Sequence, residues 1–191
     1  MGRIAMTGRM AMTGRIAILL GAMAGWGVLP RIAAQGVDEQ SLEYQVKAAF
    51  LLNFTKFIEW PPSAFVDSGS PLAICLLGDD PFGGALNQML EGETVNARKL
   101  VVQRLRRAPA PKQCQVLFIG KSEKDTREIV TGLGPGVLSV GEGDNFLQEG
   151  GMIAFVIDNR RVRFDINQTA VDAAALKMSS KLLNVARTVR K

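Results

Sequence analysis

The sequence predicts a single α/β domain: a mixed, mostly parallel sheet with helices on both faces and a C-terminal β-hairpin plus helix. Three observations carry that expectation. From residue 42 onward, strand-length apolar runs alternate with helical stretches. Leu72–Leu77 is an unbroken apolar run, as a strand buried on both faces requires. Near the end, two β-rich runs flank Asp158-Asn159-Arg160, a turn signal that closes the sheet with an antiparallel pair.

In chain order, residues 42–59 place apolar side chains at 42, 46, 49/50, 53/54 and 57/58, a helical period broken only by Asn53. Pro61 and Pro62 stop this helix, because neither donates a backbone N–H and each disfavours helix before it. The stripe accounts for Val46, Phe50, Phe54, Phe57 and Ile58 as core and leaves Tyr44, Leu51 and Leu52 off it. Lys47, Lys56 and Glu59 argue against a membrane span, which takes about 20 largely uncharged residues. After the strand at 72–77, Gly78-Asp79-Asp80-Pro81 is a turn and residues 82–90 read as helix. Residues 99–105 alternate like a strand, 109–113 form a loop, and 114–120 (CQVLFIG) form another buried strand. Ser122 and Asp125 suggest a capping box for a helix to about Val130, ended by Gly132 and Gly134. A short strand in 136–143 and a brief helical NFLQEG lead into the hairpin. Asn167 then caps a final helix whose stripe is Val171, Ala174/Ala175, Met178, Leu182, Ala186 and Val189. Asp172 early, and Lys181, Arg187 and Arg190 late, suit its macrodipole.

Residues 1–34 stand apart from this domain, which spans 40–188. They carry Arg3, Arg9, Arg15 and Arg31 and no acid, then an apolar run and the pair Ala33-Ala34: the layout of a secretory signal peptide. A hexamer repeat (RIAMTG/RMAMTG/RIAILL) lengthens its charged region. The whole chain has 23 basic and 18 acidic residues; without those four arginines 19 basic residues remain. The net charge then falls from +5 to about +1, so the case for a nucleic-acid partner falls away. RLRR at 104–107 is the remaining basic cluster, and it reads as a solvated strand end. An exported protein meets an oxidising compartment. There, Cys75 and Cys114 are either a disulfide or two thiols buried in apolar strands.

Catalytic readings fail one by one. The chain has no histidine, so neither a zinc shell nor a Ser-His pair is available. Residues 78–84 (GDDPFGG) lack the Lys-Ser/Thr pair of a phosphate loop and bring two carboxylates instead. A receiver domain would need an aspartate where Gly120 stands. Ser122 beside Lys121 is poorly placed for base catalysis, and Asp79-Asp80 is explained by turn formation. No cofactor is expected. A small-ligand crevice at the carboxyl ends of the strands would draw on Asp79, Asp80, Lys121, Ser122 and Glu142.

Five strings, in order, cover nearly all of residues 40–188: YQVKAAFLLNFTKFIEWP, ICLLGDDPFG, CQVLFIG, LSVGE and GGMIAFVIDNRRVRFDINQTAVDAAALKMSSKLLNVAR. Together they resemble the YfiR family of exported periplasmic proteins. The resemblance implies a non-enzymatic α/β domain. It implies a repressor that binds the periplasmic sensor part of an inner-membrane diguanylate cyclase, lowering cyclic di-GMP and biofilm formation. It further implies sequestration by an outer-membrane lipoprotein and a response to redox state. Cys75 and Cys114 match one of two family disulfides; the second would fall in GEGDNFLQEGGMIAF, which has no cysteine here. A caution comes from spacing. Cys75 lies three residues before Gly78, and Cys114 six before Gly120. Parallel neighbours in that register would be offset by about 10 Å, against the roughly 7 Å that a bridge tolerates. Either the register is staggered or the bridge does not form.

For a partner surface, aromatic and arginine side chains are the natural anchors. That points to Phe54, Phe57 and Trp60 on the first helix and to Arg161 and Arg163 on the hairpin, with core packing the alternative for the aromatics. The sequence leaves a homodimer open.

Overall fold

The computed structural model describes residues 39–110 and 112–191; the signal peptide expected in residues 1–34 lies outside them. The chain begins with α1 (Glu39–Phe57), β1 (Ile58–Glu59) and a 3-10 turn (Pro62–Ala64). Next come β2 (Leu72–Leu77), α2 (Gly84–Leu90), β3 (Thr94–Val95), β4 (Arg98–Leu105), β5 (Val116–Ile119) and α3 (Thr126–Thr131). The second half adds β6 (Leu138–Glu142), β7 (Ile153–Asp158), β8 (Arg161–Asn167), α4 (Gln168–Ala173), β9 (Lys177–Met178), α5 (Ser180–Val185) and β10 (Thr188–Arg190).

Among the described residues, eight strands form one sheet in the order β10-β8-β7-β6-β5-β2-β4-β3. β4, β2, β5, β6 and β7 run parallel; β8 returns antiparallel to β7, and β10 lies parallel to β8. This is the expected mixed α/β sheet. Every residue of β2 is buried, so its sequence cannot alternate. One face, with Ile74, Leu76, Phe118, Val140 and Phe155, packs under α1, α2, α4 and α5. The other, with Ala73, Cys75, Leu77, Leu117 and Ile119, packs under α3 and the turns of 144–150. Those turns replace the brief helix expected at NFLQEG. They hold Phe146 so close to the sheet that a Cβ on Gly141 or Gly151 would lie 2.3 or 2.1 Å from its ring. The hairpin forms as read, with Asn159 and Arg160 both at positive φ (49° and 59°), as a two-residue type I′ loop requires.

Several boundaries differ from the sequence reading. α1 stops at Phe57, because Ile58 and Glu59 pair antiparallel with Met178 and Lys177 of β9. Its buried stripe is Tyr44, Lys47, Ala48, Leu51, Phe54 and Thr55. The helix is rotated relative to the hydropathy stripe: Val46 is 44% exposed, while Tyr44 and Leu51 are core. Lys47 and Thr55 are polar and lie off the hydropathy stripe, yet both polar ends are satisfied inside. The capping box does not form. α3 starts after Asp125, and the Ser122 hydroxyl instead accepts the Asp79 N–H at 3.3 Å.

The single final helix is also overturned. Asn167 does cap α4, accepting the Ala170 N–H at 3.1 Å. However, Ala175 takes φ 57°, and the chain breaks into β9, then α5 capped by Ser179, then β10. The apparent stripe was shared among these pieces. The gain is a strand on the sheet edge and an ion pair: Arg187 donates to both carboxylate oxygens of Asp165 (2.9 and 2.5 Å), and Thr188 adds a third bond at 2.7 Å. Arg187 therefore serves a buried carboxylate and not a helix dipole.

The two cysteines are joined, with Cα atoms 5.9 Å apart. β2 and β5 pair Cys75 with Leu117, so the three-residue offset is real. The bridge forms because Cys114 lies outside β5, beyond a bend at Gln115, and not in line with the strand. Gln115 holds that bend from the inside: its side chain accepts the Ala73 N–H and donates to the Ala64 carbonyl.

Replacing both cysteines by alanine is expected to lower the unfolding free energy by roughly 4 kcal/mol, from the loop of 39 residues they close. Urea titration checks this, and a loss under about 1 kcal/mol would contradict it. Asp165 gives a second expectation. Burial opposes its ionisation, but hydrogen bonds from Arg187 and Thr188 and the Arg187 charge outweigh that and hold its carboxyl below the usual 3.8. A depressed folded pKa adds stability above about pH 4, which is lost as pH falls through the folded value. Asp165→Asn should therefore be less stable at neutral pH and should show a shallower loss of stability below pH 4 than the parent chain.

Candidate functional site

The chain order reverses at β2, whose neighbours are β4 on one side and β5 on the other. The carboxyl ends of β2 and β5 are thus where an open α/β sheet offers its crevice. Here the loops fill it themselves. The Gly120 N–H donates to the Leu77 carbonyl at 2.9 Å. A Cβ on Gly78 would sit 2.7 and 2.8 Å from Glu123 Oε1 and Ser122 Oγ. Asp80 accepts the N–H groups of Phe82 and Gly83 and pairs with Arg104 at 2.7 Å, so it builds the turn before α2. Asp80 borders one hollow beside Tyr44, whereas Lys121 and Glu142 border another beside Lys47. The five crevice candidates are not one site.

The N-terminal half of α1 lies over these strand ends. Tyr44 meets Phe82 edge to face, with ring centroids 5.6 Å apart, and its hydroxyl donates to Glu142 at 3.2 Å. Lys47, 2% exposed, donates to both Glu43 and Glu142, and Lys121 reaches Glu142 from the solvent side at 3.4 Å. Burial, the Glu142 charge and the hydrogen bond to it push the Tyr44 phenol up to about 12. Glu142 stands at the end of β6, so one buried carboxylate ties helix to sheet. Sequence reasoning named Glu142 together with Lys121 and missed Tyr44 and Lys47. The available signal was a lysine inside an apolar helix with a glutamate four residues before it.

On the outward side of α1 the surface changes character. Leu42, Val46 and Phe50 on the helix face Ile157 and Val162 on the hairpin across an open groove of about 580 Å³. Leu42, Val46 and Ile157 are 47%, 44% and 54% exposed, three of the five large hydrophobic side chains exposed among the described residues. Scattered apolar residues need no explanation, but their convergence on one concave face does. Arg160 and Arg161 rim the groove on the hairpin side, and Glu39 and Glu43 on the helix side.

The predicted anchors divide. Arg161 lines the groove; Arg163 is not among the residues that line it. Phe54 is fully buried against Phe50, Phe155 and Phe164 and cannot meet a partner. Phe57 and Trp60 are half-buried against the core, and the Trp60 indole donates to the Gln115 carbonyl at 3.1 Å. Core packing, the alternative for the aromatics, accounts for Phe54 outright.

Fold and surface together define a layered α/β domain with its strand-end crevice closed by its own helix and an apolar groove left open beside it. The sequence model of the YfiR/HmsC-like family matches residues 44–187. The chain belongs to the YfiR/HmsC-like family, as its motifs led one to expect. No curated protein matches it. No helix among the described residues is long and apolar enough to cross a membrane.

Removing one member of a buried ion pair strands the other, which typically costs 3–5 kcal/mol. Lys47→Ala is expected to destabilise by about 3 kcal/mol in chemical denaturation. The double variant Lys47→Met/Glu142→Gln should recover much of that loss, since it removes both charges.

Proposed function

We propose that this protein is a non-enzymatic periplasmic regulator of cyclic di-GMP signalling, exported by a leader at residues 1–34. In this reading it docks on the periplasmic sensor part of an inner-membrane diguanylate cyclase and holds the enzyme inactive. An outer-membrane lipoprotein that competes for the protein would relieve the repression. Membership of the YfiR/HmsC-like family supports the signalling role. The observation that carries the docking surface is the groove between α1 and the β7–β8 hairpin, where three exposed large hydrophobics converge. Its shape suits a short amphipathic helix of the sensor laid along α1. Charge complements that choice: an acid on the incoming helix would meet Arg160 and Arg161, and a base would meet Glu39.

A second reading has a specific observation behind it. A groove of about 580 Å³ falls in the range of small-ligand pockets, so an effector could share this surface. The strand-end crevice, filled by its own loops, supports that reading less well.

Val46→Asp and Ile157→Asp are expected to leave the fold intact, because both side chains are exposed. Each should weaken capture of the purified cyclase sensor domain by about tenfold or more, equivalent to roughly 1.4 kcal/mol. In cells carrying that cyclase, both variants should raise cyclic di-GMP. Undiminished binding and repression by both would dispose of the groove as the docking surface.

A further inference from the structure

The opposite side of the sheet ends in a strand that is mostly uncovered. β3 pairs only with the start of β4, Thr94 with Lys99 and Val95 with Arg98. One further bond runs from the Leu100 N–H to the Glu93 carbonyl at 3.1 Å. Past Leu100, no described segment pairs with the outer edge of β4. The direction of its backbone groups follows from two bonds. Leu105 turns its carbonyl inward to the Gly78 N–H of the chain leaving β2, and Leu100 turns its N–H outward to Glu93. With a period of two, Val101 and Gln103 face β2, whereas Val102 and Arg104 present their N–H and C=O groups outward. Those four groups have no ladder partner among the described residues.

The charges carried by β4 and the two residues after it have one sign. Lys99, Arg106 and Arg107 are exposed and make no ion pair among the described residues, whereas Arg104 is held by Asp80 and Asn87. Of the nearby acids, Glu93 is taken by Lys56 at 2.9 Å, and Glu91 lies in the turn between α2 and β3. Beyond the end of β4 a hollow of about 660 Å³ opens, lined by Arg106, Arg107, Pro109 and Gln113. Behind the edge, β2 is buried on both faces and carries the Cys75–Cys114 bridge, so β4 rests on a fixed support.

We propose that the outer edge of β4 is a second docking surface, which takes an extended acidic segment of another polypeptide as an added strand. The free backbone groups specify an extended segment, since only a strand can satisfy them in sequence. The unpaired cations specify acidic side chains at both ends of it. A second copy of this chain is a poor occupant, because an edge-to-edge pair would set Lys99, Arg106 and Arg107 against the same cations. Edge lysines and arginines also discourage self-pairing, so the experiment must separate recognition from mere protection.

The probe is a capped eight-residue peptide alternating glutamate with valine, compared with its lysine-for-glutamate counterpart, at low salt. Amide hydrogen exchange of the full chain is read residue by residue. The acidic peptide should slow exchange at Val102 and Arg104 on the order of tenfold when present at about ten times its Kd. The lysine peptide should not. Arg106→Glu/Arg107→Glu, at exposed positions, should abolish the slowing, and Val102→Pro should reduce it at Arg104 with the charges intact. Unchanged exchange at both residues would overturn the proposal, leaving the cations as a guard against self-association. So would slowing by both peptides alike, or capture by phosphatidylglycerol vesicles in place of the peptide.

Discussion

The structure turns on a lysine that the first helix buries against the sheet. Lys47 enters the protein interior only because Glu142 waits at the end of β6, with Glu43 one turn back on the same helix. That pair fixes both the rotation of α1 and its height over the sheet. With Lys47 facing inward, Tyr44, Leu51 and Phe54 must follow it into the core. The same rotation turns Leu42 and Val46 outward, toward the hairpin. A buried ion pair contributes little net stability against a well-packed apolar alternative, but it discriminates sharply between helix rotations. In this chain, that choice of rotation decides which hydrophobic side chains remain in water.

A second buried pair governs the other end of the fold. Asp165 on β8 is matched by Arg187, which enters just ahead of β10. Between the two pairs the sheet is almost wholly apolar, and its polar exceptions are spoken for. Gln115 bridges Ala73 and Ala64, and the Ser139 hydroxyl accepts the Met152 N–H. The side-chain polar atoms buried among the described residues all have partners. Charge in this interior marks where separate segments must meet.

What could be read from the sequence follows from the range of the interactions. Leu72–Leu77 was legible because burial on both faces leaves no polar residue to confuse the pattern. Asn159-Arg160 and Asn167 were legible because turns and caps are local chemistry. The break after Ala173 was not, since the stripe from Val171 to Val189 fits a helix equally well and only the waiting edge of β8 and Asp165 decides against it. The rotation of α1 was hidden for a related reason: a partner 95 residues away makes Lys47 a core residue. Arg161, chosen for its chemistry, lines the groove, while Leu42, Val46 and Ile157 were not singled out as groove residues because exposure of an aliphatic residue is a tertiary property. The disulfide was left open by the spacing of the two cysteines, and it forms because Cys114 reaches Cys75 from beyond a bend that a straight strand would not have.

The placement of β10 has a consequence for how the chain completes itself. β8 closes one edge of the sheet only when residues 188–190 arrive alongside it, and Asp165 is neutralised only by the residue just before them. Until then the domain holds an anion that has lost its water and gained no counter-charge. Final closure therefore waits on that segment, and a chain cut short before Arg187 would be marked by an uncovered β8 that proteases can recognise.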